Sequence, residues 1–457
     1  MYHNLSRLKM SVGIVGLGYV GLSMAVCLAS RNTEVRGYDI DEEKMKKLKS
    51  GEPYIVEDSL KELMELGIKT GALMGAASIH EVVNQSDIIF ICVGTPSKKD
   101  GSINLDYIFK AAQDIGEGIK NTNGYKLIVT KSTVTPGTAE EIIKIVEKAS
   151  SKKHGVDFGV CSNPEFLREG TAVLNFTRPD RIVIGASTEG EAAPLIEMYK
   201  NFYGDLPNII LTNYVNAELI KYANNAFLAT KISFINEIAM LCEKIPGADI
   251  NTIRDALYAD ARIGPSFLNA GVGYGGSCFG KDLKALISFY TRYNRVPYLL
   301  RSTEAANDRS TLAPVVIIAG DIKRLGLCES KKQKIAVLGL AFKSGTDDVR
   351  DSSSLKIIRG LQELGFKNIS AHDPEAVENA RRVLGDSVKF EEYCEEALWG
   401  ADWAIIATAW DEYIKIEPAT FIKLMKTPNV FDGRRIYNSR GMKECGVNYY
   451  ATGYGRY

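Results

Sequence analysis

The sequence predicts an α/β protein in which two doubly wound sheets are joined by a long central helix. Three observations carry this expectation. From Ser11 onward, short β-branched runs alternate with helical patterns, the signature of a parallel sheet wrapped by helices. Residues 214–244 form an unbroken helical pattern without Gly or Pro, about 30 residues and so roughly 45 Å long. From Lys334 a second βα alternation begins, and like the first it leads through lysine into an apolar strand that ends in Gly.

The first series places strands near 11–15, 33–39, 87–93, 126–131, 156–161 and 181–185, and the second near 334–339, 368–373, 402–408 and 428–432. The expected domains are 1–210, 211–310 and 311–457. The long helix has apolar residues such as Tyr214, Leu219, Tyr222, Phe227, Phe234 and Leu241 on more than one face of its cylinder. It should therefore be buried on several sides, either within one chain or partly against a second subunit. A homodimer or larger homo-oligomer is expected.

Composition excludes some classes of function. The 457 residues carry 56 Lys+Arg against 56 Asp+Glu, which leaves no electrostatic footprint for a polyanion and makes nucleic acid an unexpected partner. Apolar runs such as 87–93 are strand-sized, far short of the roughly 20 residues that cross a bilayer, so no membrane span is expected. Residues Met1 to Lys9 are polar and unlike a secretory signal, which points to the cytoplasm. The eight cysteines show neither metal-finger spacing nor the density of a disulfide scaffold. They read as reduced thiols, with Cys27, Cys92, Cys161 and Cys242 as inert core filling. No spacing suggests a metal site.

Gly16-Leu17-Gly18-Tyr19-Val20-Gly21 sits where the first strand turns into a helix. Glycines there keep the turn tight and let backbone approach a pyrophosphate at the positive end of the helix dipole. Asp39, ending the second strand, can accept from both ribose hydroxyls, which favours NAD over its 2′-phosphorylated form. The fold class is thus α/β with two Rossmann-like domains joined by a long central helix. Lys44 could reach the adenosine side or simply be solvated. Val93-Gly94-Thr95-Pro96 and Lys131-Ser132-Thr133-Val134 each end a strand at the carboxyl edge, where open α/β sheets bind ligands.

Ser162 to Gly170 follows the fifth strand and delivers Glu165 and Glu169 to the same edge. One of them would serve as a general base if burial raised its pKa; the plainer alternative is a helix start with solvated acids. The histidines His3, His80, His154 and His372 lie beside none of these motifs, so acid–base work should fall to Glu, Asp or Lys. In Gly271 to Asp282, a glycine-rich loop presents Cys278 just ahead of the helical pattern 283–290, with Lys281 adding positive charge. A helix N-terminus favours thiolate; a structural thiol in a glycine turn is the alternative. An NAD site with an activated thiol suggests aldehyde oxidation through a thiohemiacetal and a thioester, ending in an acid.

At these residues the chain resembles the nucleotide-sugar 6-dehydrogenases of the UDP-glucose/GDP-mannose dehydrogenase family. The carriers are Gly16 to Gly21, Gly94-Thr95-Pro96, Lys131 to Val134, Asn163 to Leu167, Arg262-Ile263-Gly264, Gly273 to Phe279 and Gly339 to Lys343. The resemblance implies two successive NAD-dependent oxidations at the sugar C6, with UDP-glucose as substrate and a thioester on Cys278. GDP-mannose or another UDP-hexose is the alternative substrate. It further implies that Lys221 and Asn225 stabilise the oxyanion, and that Glu165, with Thr133 and Asp282 holding a water, hydrolyses the thioester.

By the same resemblance, Gly16, Gly18, Tyr19, Val20, Gly21, Asp39, Lys44, Thr95, Thr133, Glu169 and Arg350 would contact the cofactor. Phe166, Leu167, Arg168, Glu169, Lys221, Asn225, Phe267, Leu268, Asn269, Gly273, Tyr274, Gly275, Phe342, Lys343 and Arg434 would contact the sugar nucleotide, with Lys343 and Arg434 bringing charge to its pyrophosphate. Arg262 would reach in from the neighbouring subunit, making a dimer part of the site. This chain departs from the family pattern at Glu57-Asp58-Ser59-Leu60, which lacks the usual Pro-Gly, at Ser97 in place of Thr, and at Gly280 in place of Pro.

Overall fold

The computed structural model describes residues 10–325 and 331–455; Met1 to Lys9, with His3, and Cys328 lie outside them. The chain divides into two compact units, Met1–Ala223 and Asn224–Tyr457.

In the first unit, the six expected runs become strands β1 (Val12–Val15), β2 (Val35–Tyr38), β4 (Ile88–Ile91), β5 (Lys126–Thr130), β6 (Phe158–Ser162) and β7 (Ile182–Gly185), and two unexpected strands join them, β3 (Leu73–Gly75) and β8 (Ile209–Thr212). Their order is β3-β2-β1-β4-β5-β6-β7-β8. The order reverses at β1 and β4, and that reversal opens the crevice where the Gly16 turn lies. The sheet departs from the expected all-parallel pattern at β6 and β7, which pair antiparallel through Ser162 and Gly185. β1, β4 and β5 are buried along their whole length. Helices cover both faces of such strands, so they read as continuous apolar runs rather than alternating ones.

The helix Tyr19–Ser30 shows the same logic. Leu22, Met24, Val26, Cys27 and Leu28 are all fully buried, because besides lying on the sheet it packs against the helices Leu60–Lys69 and Ala172–Thr177. Fully burying each large apolar side chain contributes about 1.5–3 kcal/mol. Cys27 and Cys161 are core filling as expected, whereas Cys92 is only partly buried.

The long helix runs from Tyr214 to Cys242. Within the single chain, part of its apolar surface is left exposed. Phe227, Phe234 and Leu241 recur every seventh residue and are 65%, 50% and 57% exposed. Between it and residue 325 the described residues form the helices Ile250–Tyr258, Phe279–Thr291, Tyr298–Thr311 and Ala313–Leu325. No helix of the described residues is long and apolar enough to cross a membrane.

The second sheet comprises β9 (Ile335–Leu338), β10 (Ile369–His372), β11 (Lys389–Phe390), β12 (Trp403–Ile406), β13 (Asn429–Asp432) and β14 (Asn448–Ala451). Its order, β11-β10-β9-β12-β13-β14, repeats the winding of the first six strands of unit 1, and every pair is parallel. The turn after β9 also repeats: Gly339 has φ 96° where Gly16 has φ 95°, a conformation an L side chain adopts only with strain.

Candidate functional site

The glycine fingerprint is explained atom by atom. A Cβ at Gly21 would fall 1.9 Å from the Gly16 carbonyl oxygen, and one at Gly16 would fall 2.7 Å from the Cys92 backbone. A Cβ at Gly18 would meet nothing within 4 Å. Two glycines are therefore dictated by chain packing, while the third keeps clear the space where a diphosphate can approach the start of the helix Tyr19–Ser30. Asp39 Oδ2 accepts from the Leu17 amide at 2.8 Å, and Lys44 Nζ lies 3.3 Å from the same oxygen. Lys44 is thus paired with the ribose-side carboxylate rather than solvated. At the carboxyl edge, Ser132 Oγ donates to the Val93 carbonyl at 2.6 Å, which ties the Thr95 loop to the Thr133 loop. Thr95 is buried and Thr133 half-buried. This cradle fits NAD.

In the second sheet the equivalent carboxylate, Asp373, is already occupied. Its Oδ2 accepts from the Leu340 and Ala341 amides and from Trp410 Nε1, and its Oδ1 accepts from the Glu375 and Ala376 amides. Lone pairs used this way leave little capacity for ribose hydroxyls. His372 ends β10, buried, with Nδ1 2.9 Å from the Tyr413 hydroxyl. A cavity of about 1200 Å³ opens there, lined among others by His372, Asp373, Tyr393, Glu412 and Lys415, and it includes none of the expected site residues.

The segment after β6 is irregular until the helix Ala172–Thr177, so the alternative of a helix start at Glu165 is set aside. Asn163 anchors the segment: Nδ2 donates to the Val183 carbonyl, and Oδ1 accepts from Lys131 Nζ at 2.9 Å and from the Tyr199 hydroxyl. Burial pulls Lys131 down to about 8. Glu165 Oε1 accepts from Lys221 Nζ at 2.9 Å, and Lys221 Nζ also donates to the Glu165 carbonyl at 2.6 Å. Burial alone would raise the Glu165 carboxyl. The Lys221 ammonium, the Leu167 amide and the Lys131 charge outweigh it and hold the carboxyl below its usual range. The condition of a carboxyl raised by burial is therefore not met at Glu165, because at neutral pH it is a carboxylate clamped by an ammonium.

Around this pair, the Phe166 ring has the Arg181 guanidinium 4.0 Å from its centroid and Lys221 Nζ at 5.4 Å. The Arg168 amide donates to Asn175 Oδ1, with the Arg168 side chain exposed and Glu169 half-buried. Lys131, Asn163 and Tyr199 were not singled out as site residues. The first two lie inside the quoted strand-end motifs, but nothing in the sequence links Tyr199 to them.

In the second unit, Cys278 caps the helix Phe279–Thr291, with Ser277 Oγ 3.5 Å from its sulfur. Asp282, 1% exposed, donates its amide to the Cys278 carbonyl. The Asp282 carboxylate accepts from Asn225 Nδ2 at 2.7 Å and from Lys281 Nζ at 2.6 Å. Lys281 thus pairs with Asp282 rather than standing as an isolated charge near sulfur. The glycines of the loop answer to its neighbours. A Cβ at Gly276 would strike the Phe342 ring at 2.7 Å, one at Gly275 the Asp351 carbonyl at 2.4 Å, and one at Gly273 the Asn307 amide oxygen at 2.6 Å. Gly280 has a similar partner, since a Cβ there would lie 2.7 Å from Asp351 Oδ2.

The remaining expected contacts are distributed around this loop. Tyr274 is held by Asn307 through both its amide and its carbonyl. Phe267, with φ 63°, stacks edge-on with Phe279; Leu268 is buried, and Asn269 accepts from Arg254 and Tyr258. Arg434 donates to the carbonyls of Ala407 and Gly273, and burial draws it down to about 10. Lys343 Nζ lies 5.7 Å from the Phe342 ring centroid. Arg350 is paired with Asp348. Arg262 is paired with Asp260 on the surface, its side chain 90% exposed. Among the described residues no group of three or more His, Cys, Asp or Glu is placed to hold a metal ion.

Comparison with known proteins shows the family. Sequence models of the UDP-glucose/GDP-mannose dehydrogenase family match its NAD binding domain at residues 10–203, its central domain at 215–309 and its UDP binding domain at 336–439. The chain is 40% identical to the UDP-glucose 6-dehydrogenase TuaD of Bacillus subtilis, over 97% of this chain and 93% of that one. It is also 40% identical to the UDP-glucose 6-dehydrogenase of Rhizobium meliloti, over 97% and 99%. A solved UDP-glucose dehydrogenase from the hyperthermophilic archaeon Pyrobaculum islandicum superposes with a TM-score of 0.89 at 38% identity, covering 99% of this chain and 100% of that one. With all three domain models matched in order along its length, the chain belongs to the UDP-glucose/GDP-mannose dehydrogenase family.

Proposed function

We propose that the chain is a UDP-glucose 6-dehydrogenase that oxidises the sugar C6 hydroxymethyl to a carboxylate in two NAD-dependent steps. NAD supplies the hydride acceptor, one molecule for each oxidation, and Gly18, Thr95, Asp39 and Thr133 are the residues that would hold it. Cys278 adds to the C6 aldehyde to give a thiohemiacetal. The second oxidation removes hydride and proton to leave a thioester, which water cleaves to the acid and the free thiol. Lys221 and Asn225 donate to the oxyanion that forms at C6. Glu165, with Thr133 and Asp282, positions and deprotonates the water.

The observation that carries the reading is the placement of Cys278 at the amino end of the helix Phe279–Thr291, with Asp282 buried one turn on and bonded to Asn225. A helix amino end lowers the cost of a thiolate, the form that attacks a carbonyl. The contact roles of Phe166 to Glu169, Phe267 to Gly275, Phe342, Lys343, Arg350 and Arg434 are proposed with it, as are domains at 1–210, 211–310 and 311–457.

The exposed stripe Phe227, Phe234 and Leu241 and the exposed Arg262 support a homodimer in which Arg262 serves the partner's site. A working thiol requires a reducing compartment, in keeping with the cytoplasm. The test is a panel of UDP- and GDP-hexoses scored by NADH release and product mass. Two NADH for each UDP-glucose, with uronate as product, is the expected result. One NADH with no acid, or preference for a GDP-hexose, overturns the reading.

A further inference from the structure

Glu218, which no motif singled out, is a buried carboxylate of the first unit that takes three hydrogen bonds. It lies 3% exposed on the long helix, three residues before Lys221. Its Oε2 accepts from the Gly137 amide at 2.7 Å, and its Oε1 from the Ala139 amide at 2.9 Å and Ser162 Oγ at 3.2 Å. Each partner belongs to a segment that carries a proposed reacting group. Gly137 and Ala139 open the helix Thr138–Ser150, directly after the Thr133 loop. Ser162 ends β6, three residues before Glu165.

The helix Thr138–Ser150 begins at Gly137, which has no side chain with which to cap it. The orphan amides that a Ser or Asp would ordinarily satisfy locally are instead satisfied from another helix. A local cap would serve the helix alone; this one fastens it to β6 and to the long helix. Glu140 is the charged group of that helix that faces the carboxylate, and it disfavours ionisation, while β6 presents only the neutral Ser162 hydroxyl.

We propose that Glu218 is a positioning residue that fixes the register of the long helix against the Thr133 loop and the end of β6, so that Lys221, Glu165 and Thr133 keep their mutual geometry. It touches none of the reacting atoms and acts through those three. Burial raises its carboxyl to about 7, so the clasp gains its charge-assisted bonds as pH rises through neutrality. The kinetic part of the test rests on the function proposed above; the exchange part does not.

The experiment compares Glu218→Gln and Glu218→Asp with wild type by amide hydrogen exchange and by steady-state kinetics from pH 5.5 to 8.5. Gln replaces one of the two accepting oxygens with an NH2 group that faces an N–H donor, and Asp is one methylene too short to reach both. Expected are faster exchange at residues 137–139 and 163–167 with the remaining sheet still protected. A roughly 10- to 100-fold fall in kcat with KM for UDP-glucose little changed should accompany it. Wild-type kcat should rise with pH near 7, and that rise should flatten in Glu218→Gln.

Unchanged exchange at those amides in either folded variant overturns the proposal, as does wild-type kcat with its pH dependence intact. Failure of both variants to fold also overturns it, since the residue would then be structural. If wild type does not oxidise UDP-glucose, the reading of function fails while the exchange result still decides the clasp.

Discussion

One buried ion pair dominates the segment after β6. Glu165 and Lys221 are separated by 56 residues in sequence and joined at 2.9 Å, with side chains 9% and 4% exposed. Breaking such a pair leaves a buried charge without a partner, which costs about 3–5 kcal/mol. In Lys221→Ala, desolvation of Glu165 would be far less opposed, so its folded-state pKa rises. The ionised form is then penalised in the folded state, and the penalty fades as falling pH protonates it. Wild type behaves oppositely: its depressed carboxyl contributes stability above the usual carboxylate range and loses it on acidification. Urea unfolding should therefore show a larger gap between wild type and Lys221→Ala at pH 8 than at pH 5. The same variant should lose kcat roughly 100- to 1000-fold if the ammonium serves the oxyanion; a loss confined to KM would reduce Lys221 to a binding role. The strand-end pattern picked out Glu165 and the family resemblance Lys221, but neither decided whether burial raises the carboxyl, because its ionisation is set by a partner that no local pattern reveals.

At the scale of elements, the strands most legible in sequence were those buried on both faces, such as β1 and β4, whose uninterrupted apolar runs have no other use. The strands missed were β3, β8, β11 and β14. Leu73–Gly75 and Lys389–Phe390 are three and two residues long, and Ile209–Thr212 is half exposed, so none has a burial pattern to announce it. The antiparallel junction of β6 and β7 was equally invisible, since direction is set by the connection and not by composition. The glycine turn was legible, yet its glycines are unequal. Gly21→Ala drives a Cβ into a backbone oxygen that cannot move aside, and should lower stability by about 1–3 kcal/mol as well as weaken NAD binding. Gly18→Ala meets open space in the chain itself, so it should melt close to wild type and still bind NAD poorly. Thermal melts with NAD titrations separate the two; equal melting temperatures would contradict the packing argument.

At the scale of the whole molecule, two sheets of the same winding have been put to different use. Asp39 accepts from one amide of its own glycine turn, from the Asp41 amide and from Lys44, whereas Asp373 takes four backbone amides and Trp410. The repeat was hinted at in sequence only by the lysine-rich leads. The carboxylates look alike there, and only their hydrogen bonds distinguish them. The stripe Phe227, Phe234 and Leu241 also acts at this scale. Phe227→Asp with Phe234→Asp should convert a dimeric wild type into a monomer by light scattering, with activity falling alongside. An unchanged mass would place the subunit contact elsewhere.

In the proposed reaction Cys278 is the covalent carrier of the half-oxidised sugar. The most direct test is to incubate Cys278→Ala with UDP-glucose and NAD and quantify uronate by product mass, with NAD binding measured in parallel. Uronate formation should disappear while NAD binding persists; uronate at near wild-type yield would contradict the thioester route.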